Sequence, residues 1–145
     1  MPQVLVINGP NLGRLGTRAT SVYGITTLAE LEVILRNDAA SMDLTLDVFQ
    51  SDVEGEIIRY VDAHRGAAGL VLNPGALMMA GWSLRDCLED FEGMAVEVHL
   101  SNVFARESFR HQSVLADVMD GFIAGLGVDG YRAALESIAR RLGAR

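Results

Sequence analysis

Lysine is absent from this 145-residue chain: all twelve of its basic residues are arginine. That excludes chemistry built on a lysine imine, a pyridoxal phosphate lysine or the lysine of a P-loop. Cysteine is nearly absent. The single Cys87 has no internal disulfide partner, which fits a reducing, cytoplasmic setting, and it reads as a small buried hydrophobe on a helix. The three histidines, His64, His99 and His111, form no pair with metal-ligand spacing, so no metal is expected. No apolar run reaches membrane-spanning length. The opening MPQVLVING has no basic region, so no signal peptide is expected. Positive charge is also in deficit. The net charge of -7 argues against nucleic acid or an anionic membrane surface as the main partner. There is no internal repeat, low-complexity tract or linker, and the length suits one domain, 1–145, around one core.

What is present alternates between apolar runs and helical patterns. QVLVIN (3–8), LTLDVFQ (44–50), GLVLN (69–73), AVEVHLS (95–101) and GFIAGLG (121–127) read as strands. Thr27 and Glu30 form a capping-box pattern ahead of Leu28, Leu31, Ile34 and Leu35 on one helical face. Further helices are expected over 54–64, with Ile57, Ile58 and Val61 inward, and over 82–90. The last runs from about Asp129, with Tyr131, Ala134, Leu135 and Ile138 inward. Strands separated by helices imply an α/β fold with a parallel sheet covered on both faces. The natural order at this size is the flavodoxin-like 2-1-3-4-5, a three-layer arrangement. Ligands of such sheets bind beyond the carboxyl ends of the strands, at the switch point between strands 1 and 3.

The chemistry should therefore lie just after strands 1, 3 and 4. After strand 1 comes NGPNLGRLGTRATSVYGIT (8–26), long for a strand-to-helix connection, with Asn8, Asn11, Arg14, Arg18 and Tyr23. Strand 3 ends at Asn73. Strand 4 ends in EVHLSN, followed by a loop with Arg106 and Arg110. Four of twelve arginines on one sheet edge of an acidic protein point to a small anionic ligand, a carboxylate above all; solvated loop arginines are the alternative. Along EVHLS, Glu97, His99 and Ser101 share one face. Glu97 can orient His99 and stabilise its charge, and such a histidine can act as a general acid. A hydrogen-bonded core histidine is the alternative reading. His64 sits at a helix end and suits a cap contact. Tyr23 is a poor base at the ordinary phenol pKa of about 10, but adjacent cations favour a phenolate by roughly 1–3 units. A surface-packed loop tyrosine is the alternative.

Taken together, NGPNL, LGTR and VYG, QSDVEGEII, NPG, LRD, EVHLSN, ARESFRH and GLGVDGY, in this order over the whole chain, resemble type II 3-dehydroquinate dehydratase. The resemblance implies a flavodoxin-like domain, trimers building a dodecamer, and neither metal nor cofactor. The implied reaction is anti elimination of water from 3-dehydroquinate, a small anionic cyclic hydroxy acid, through an enolate. Carried over to this chain, Tyr23 would be the base, held as phenolate by Arg18 and Arg106. Asn11 would position the water that stabilises the enolate. His99, oriented by Glu97, would protonate the departing hydroxyl. Asn73, with Gly75 in the same turn, would contact that hydroxyl region. The backbone amides of Leu100 and Ser101 would bind the carboxylate, Arg110 would meet ring hydroxyls, and Asp86 would reach in from a neighbouring subunit.

The chain departs from that pattern at 78–81, Met-Met-Ala-Gly, where the family has a Thr-His-Thr-Ser run. Met79 stands in place of a histidine that grips a ring hydroxyl, and methionine donates no hydrogen bond. Val53 and Phe104 also stand where histidine is common. Three readings stay open: dehydration of 3-dehydroquinate with Met79 tolerated, the same elimination on a modified relative of that substrate, or a flavodoxin-like binding protein without chemistry. Met78 and Trp82 read more readily as subunit-interface packing than as ligand contacts. A receiver domain would want an acidic cluster after strand 1 and a late lysine, and a flavin carrier a Ser/Thr-rich phosphate loop. Nucleotide binding is disfavoured, for want of a G-x-G-x-x-G turn.

Overall fold

The computed structural model describes residues 1–143. Its five strands, β1 (Gln3–Asn8), β2 (Thr45–Gln50), β3 (Gly69–Asn73), β4 (Met94–His99) and β5 (Gly121–Ala124), form one sheet in the order β2-β1-β3-β4-β5. Every pairing is parallel. The expected α/β class and strand order are both present.

The apolar runs are explained by burial on both faces. In β1, Val4 and Val6 pack on one side, against helices α2 (Leu28–Ser41) and α6 (Val128–Leu142). Leu5 and Ile7 pack on the other, against α3 (Glu54–Ala63) and α5 (Trp82–Leu88). β4 repeats the alternation: Val96 and Val98 face the α2–α6 side, and Ala95 faces α3 and α5. Glu97 and His99 therefore share the α3–α5 side of the sheet. The capping box at Thr27 and Glu30 starts α2 as the sequence implies. Ile34 is only partly buried, whereas Leu31 and Leu35 are fully so. Cys87 lies in the α3–α5 core, where burial pushes its thiol up. His64 closes α3: its Nδ1 is 2.7 Å from the Tyr60 carbonyl and its Nε2 3.2 Å from an Asp47 oxygen.

Three strands are shorter than expected: β2 starts at Thr45, β4 ends at His99 and β5 at Ala124. Beyond His99 the chain leaves the ladder, and the Leu100 carbonyl accepts from Gly127 N–H instead. The connections also hold short helical pieces that are too brief to show a period: α1 (Thr20–Tyr23) and α4 (Leu77–Ala80). A G-x-G-x-x-G pattern does occur, at Gly125, Gly127 and Gly130, between β5 and α6. Gly130 lies where α6 meets the sheet, and a Cβ there would stand in ordinary contact, 3.4 Å from Val98 and Ile123. Asp129 in the first turn of α6 would repel a phosphate there.

At the switch point the ends of β1 and β3 are tied together. Asn8 pairs with Asn73 in register. The buried Tyr131 of α6 reaches both: its hydroxyl donates to Asn8 Oδ1 (2.6 Å) and accepts from Asn73 Nδ2 (2.8 Å). Burial pushes that phenol up, so it stays a neutral donor. Glycine is required where the two loops meet. A Cβ at Gly9 would lie 2.6 Å from the Pro74 carbonyl oxygen, and Gly75, at φ 57°, would meet the Pro10 oxygen at 2.9 Å.

Candidate active site

Beyond the carboxyl ends of β1, β3 and β4 lies a crevice of about 170 Å³. Each wall traces to one connection. The β1 loop supplies Pro10, Asn11, Leu12, Arg18 and Tyr23. The β3 turn supplies Asn73, Gly75, Ala76, Met78 and Met79. β4 and its loop supply His99, Leu100, Ser101, Val103, Arg106 and Arg110. Eleven sequence-selected residues thus meet around one space: Asn11, Arg18, Tyr23, Asn73, Gly75, Met79, His99, Leu100, Ser101, Arg106 and Arg110. Glu97 sits behind His99, and Asp86, on α5, is exposed and lines no part of its own chain's crevice. Arg14 is also outside it and bonds Asn11 Oδ1 at 2.7 Å.

Tyr23 ends α1, partly buried, with its ring against the α2–α6 core. Its hydroxyl oxygen accepts from Arg18 Nη2 at 3.1 Å and from Arg106 Nη1 at 2.9 Å. Arg18 also stacks on the ring, 4.1 Å from its centroid. A phenolate at this position would be held by two charge-assisted hydrogen bonds. His111 braces the Arg106 side, with Nε2 3.0 Å from the Arg106 carbonyl oxygen.

His99 is the second chemical group. Its Nε2 lies 2.6 Å from Glu97 Oε2, and both side chains are buried. The period-two reading of EVHLS holds for Glu97 and His99, while Ser101 lies beyond the end of β4. With Nε2 engaged, Nδ1 is the ring nitrogen left for a ligand. Phe122 of β5 packs beside the imidazole at 5.4 Å between centroids.

Asn11 adopts a left-handed backbone, φ 71°, which asparagine tolerates better than most residues. Its N–H donates to Asp52 Oδ1 (2.8 Å), which also accepts from Gln50 Nε2 (3.1 Å). Those bonds hold the Asp52 carboxyl below its ordinary range, the Asn11 bond most of all. Because Arg14 occupies the Asn11 side-chain oxygen, its amide nitrogen is left to face a ligand or water. Asn73 is more committed than the sequence suggests. Its amide donates to Tyr131 and its oxygen accepts from Gly75 N–H (3.1 Å), leaving one N–H for a ligand.

Met78, expected at a subunit interface, is 3 % exposed within one chain and lines the crevice. Trp82 lies outside the crevice and is 63 % exposed. Reading the sequence also missed Ser113, Asp52 and Gln50 as supports of the site. Ser113 reaches Glu97 across 16 positions and Asp52 reaches Asn11 across 41, which no local pattern betrays. Among the described residues, no group of three or more His, Cys, Asp or Glu side chains is placed to hold a metal ion. No helix there is long and apolar enough to cross a membrane.

The flavodoxin-like sheet thus carries a guanidinium-held phenol and a carboxylate-backed imidazole at its switch point. Comparison with known proteins places it more narrowly. Residues 2–139 match the family model for dehydroquinase class II. The chain is 44 % identical over 144 residues to the 3-dehydroquinate dehydratase of Bacillus subtilis (strain 168), covering 99 % of this chain and 97 % of that one. It is 46 % identical over 137 residues to the catabolic 3-dehydroquinase of Aspergillus oryzae, covering 94 % and 90 %. The crystal structure of type II dehydroquinase from Propionibacterium acnes superposes with a TM-score of 0.93 at 38 % identity, covering 97 % of each chain. This chain belongs to the class II dehydroquinase family. It is an enzyme of the dehydratase, or hydro-lyase, kind.

Proposed function

We propose that the protein converts 3-dehydroquinate to 3-dehydroshikimate by anti elimination through an enolate. The observation that carries this reading is the shared crevice, with Tyr23 under Arg18 and Arg106 on one loop and the Glu97–His99 pair on another. The substrate proton lost is α to a ketone and the hydroxyl lost is β to it. The reaction therefore needs a base for the first and an acid for the second, on opposite faces of the ring. Tyr23 takes the proton and His99 gives one to the leaving hydroxyl. Asn11 holds the water that stabilises the enolate oxygen. The amides of Leu100 and Ser101 receive the carboxylate, Asn73 and Gly75 shape the hydroxyl side, and Arg110 meets the ring hydroxyls. Self-association as trimers building a dodecamer would bring Asp86 of a neighbouring copy to the mouth of the crevice, in a cytoplasmic enzyme.

A steady-state assay that follows the ultraviolet absorbance of the conjugated enone tests this. A kcat/KM of about 10⁴ M⁻¹s⁻¹ or more is expected. Activity several orders lower from folded protein would refute 3-dehydroquinate as substrate.

Met79 favours a second reading, the same elimination on a relative altered at one hydroxyl. It lines the crevice beside Met78 and offers no donor there. An unpaired hydroxyl in a closed site costs about 1–3 kcal/mol, roughly 10- to 200-fold in discrimination. Met79→His is therefore expected to raise kcat/KM for 3-dehydroquinate within that range. No gain, or a loss, in the same assay would favour the altered substrate.

A further inference from the structure

Behind His99 and Glu97 stands a third side chain that neither the reaction scheme nor the sequence reading employs. Ser113, on the loop before β5, places its Oγ 2.8 Å from Glu97 Oε1 and 3.1 Å from Oε2. The same oxygen accepts two backbone N–H groups, from Leu115 and Ala116, at 3.1 Å each. A serine hydroxyl has two lone pairs and one hydrogen. Both lone pairs are spoken for, so the hydrogen must point to Glu97. The two N–H donors also polarise the hydroxyl and make it a better donor.

That forced orientation matters because Glu97 is fully buried. A proton on Oε1 would collide with the hydrogen of Ser113, which has no lone pair left to receive it. Oε1 is thereby fixed as an acceptor, and the mobile proton of the pair is confined between Oε2 and Nε2 of His99. Among the described residues, the side-chain hydrogen bonds to Glu97 come from His99 and Ser113 alone.

The surroundings of His99 make such support necessary. Arg18 from the β1 loop and Arg106 and Arg110 from the β4 loop line its crevice and oppose a positive imidazole. Tyr23 lines it too, and would be an anion only as phenolate. β3 contributes the neutral Asn73, and β5 the ring of Phe122. Glu107 of the β4 loop answers two of these arginines, 3.2 Å from Arg110 and 3.8 Å from Arg106, and the carboxyl in contact with His99 itself is Glu97.

We propose that Ser113 is a positioning residue for the acid step: it locks Glu97 as an ionised acceptor and so keeps His99 charged, with Nδ1 ready to protonate the leaving group. This rests on the elimination reading for its kinetic consequence, but not for its electrostatic one.

The test pairs two readouts on the intact enzyme. The first is the pH profile of 3-dehydroquinate turnover for Ser113→Ala and Ser113→Thr. The second is an NMR titration of the His99 ring with isotope-labelled histidine. In Ser113→Ala, kcat is expected to fall about 10- to 100-fold with little change in KM. The basic limb of the profile and the His99 titration midpoint should both move to lower pH. Ser113→Thr, which keeps the hydroxyl, should restore both. Adding Ser113→Ala to Glu97→Gln should leave the His99 titration where Glu97→Gln alone puts it, since no anion remains to be held. An unchanged basic limb and His99 midpoint in folded Ser113→Ala would overturn the proposal. If Ser113→Ala does not fold, Ser113→Cys decides by the same criterion, because the thiol is a weak donor of similar size. Should the parent enzyme not turn over 3-dehydroquinate, the elimination reading fails and the NMR titration alone judges Ser113.

Discussion

Replacing Tyr23 with phenylalanine is expected to lower kcat on 3-dehydroquinate by about 10²- to 10⁴-fold, the usual worth of a positioned general base. The substitution removes one oxygen and little else. The ring keeps its place against the α2–α6 core, and Arg18 can still stack on it. The guanidinium groups that donated to the hydroxyl are part-exposed and turn to water or substrate carboxylate, so stability should change by no more than about 1 kcal/mol. Steady-state kinetics with a urea unfolding curve checks both statements. Near-parental turnover from a stable Tyr23→Phe protein would mean that another group takes the proton. The hydrogen bonds from Arg18 and Arg106 would then be a packing arrangement around a neutral phenol. Loss of turnover together with loss of the fold would point to a structural role, which the position of the hydroxyl in a crevice makes a poor fit.

The features that could be read from the sequence are those with a local period or a local partner. The alternation of β1 puts Val4 and Val6 on one face and Leu5 and Ile7 on the other, and a run of that length declares itself. Glu97 and His99 are two residues apart on a strand, so their contact follows from pleat geometry. Tyr23 and Arg18 lie five residues apart in one connection, and their meeting is nearly as local. The features that escaped depend on tertiary closure. Ser113 meets Glu97 across 16 positions, after two 3-10 turns that carry no period. Tyr131 was placed inward on α6, but its bonds to Asn8 and Asn73 span 123 and 58 positions. Leu100 and Ser101 continue the sequence pattern of β4 two residues past its end at His99. What ends the strand is a competing backbone bond, from Gly127 to Leu100. Met78 was assigned outward for the opposite reason. Its apolar character suggested an interface, yet α4 turns it into its own chain's crevice wall.

On the proposed roles, removing His99 should fail differently from removing Tyr23, and the difference tests whether the elimination has two separable steps. His99→Ala is expected to lower kcat by about 10²- to 10⁴-fold, because hydroxide is a poor leaving group without a proton. In that variant Tyr23, Arg18 and Arg106 are untouched, so the proton next to the ketone can still be abstracted and returned. In deuterated water the substrate should therefore take up deuterium at that carbon while forming almost no product, an outcome that NMR of recovered substrate reads directly. Tyr23→Phe should show neither exchange nor product. Exchange in both variants would place the base elsewhere. Exchange in neither would mean that enolate formation itself depends on His99, as in a concerted loss of proton and hydroxyl, and the stepwise mechanism would fall. Glu97→Gln should resemble His99→Ala in this experiment and be milder in rate. The imidazole remains in place, 2.6 Å from the altered side chain, but no longer has a carboxylate to hold its charge.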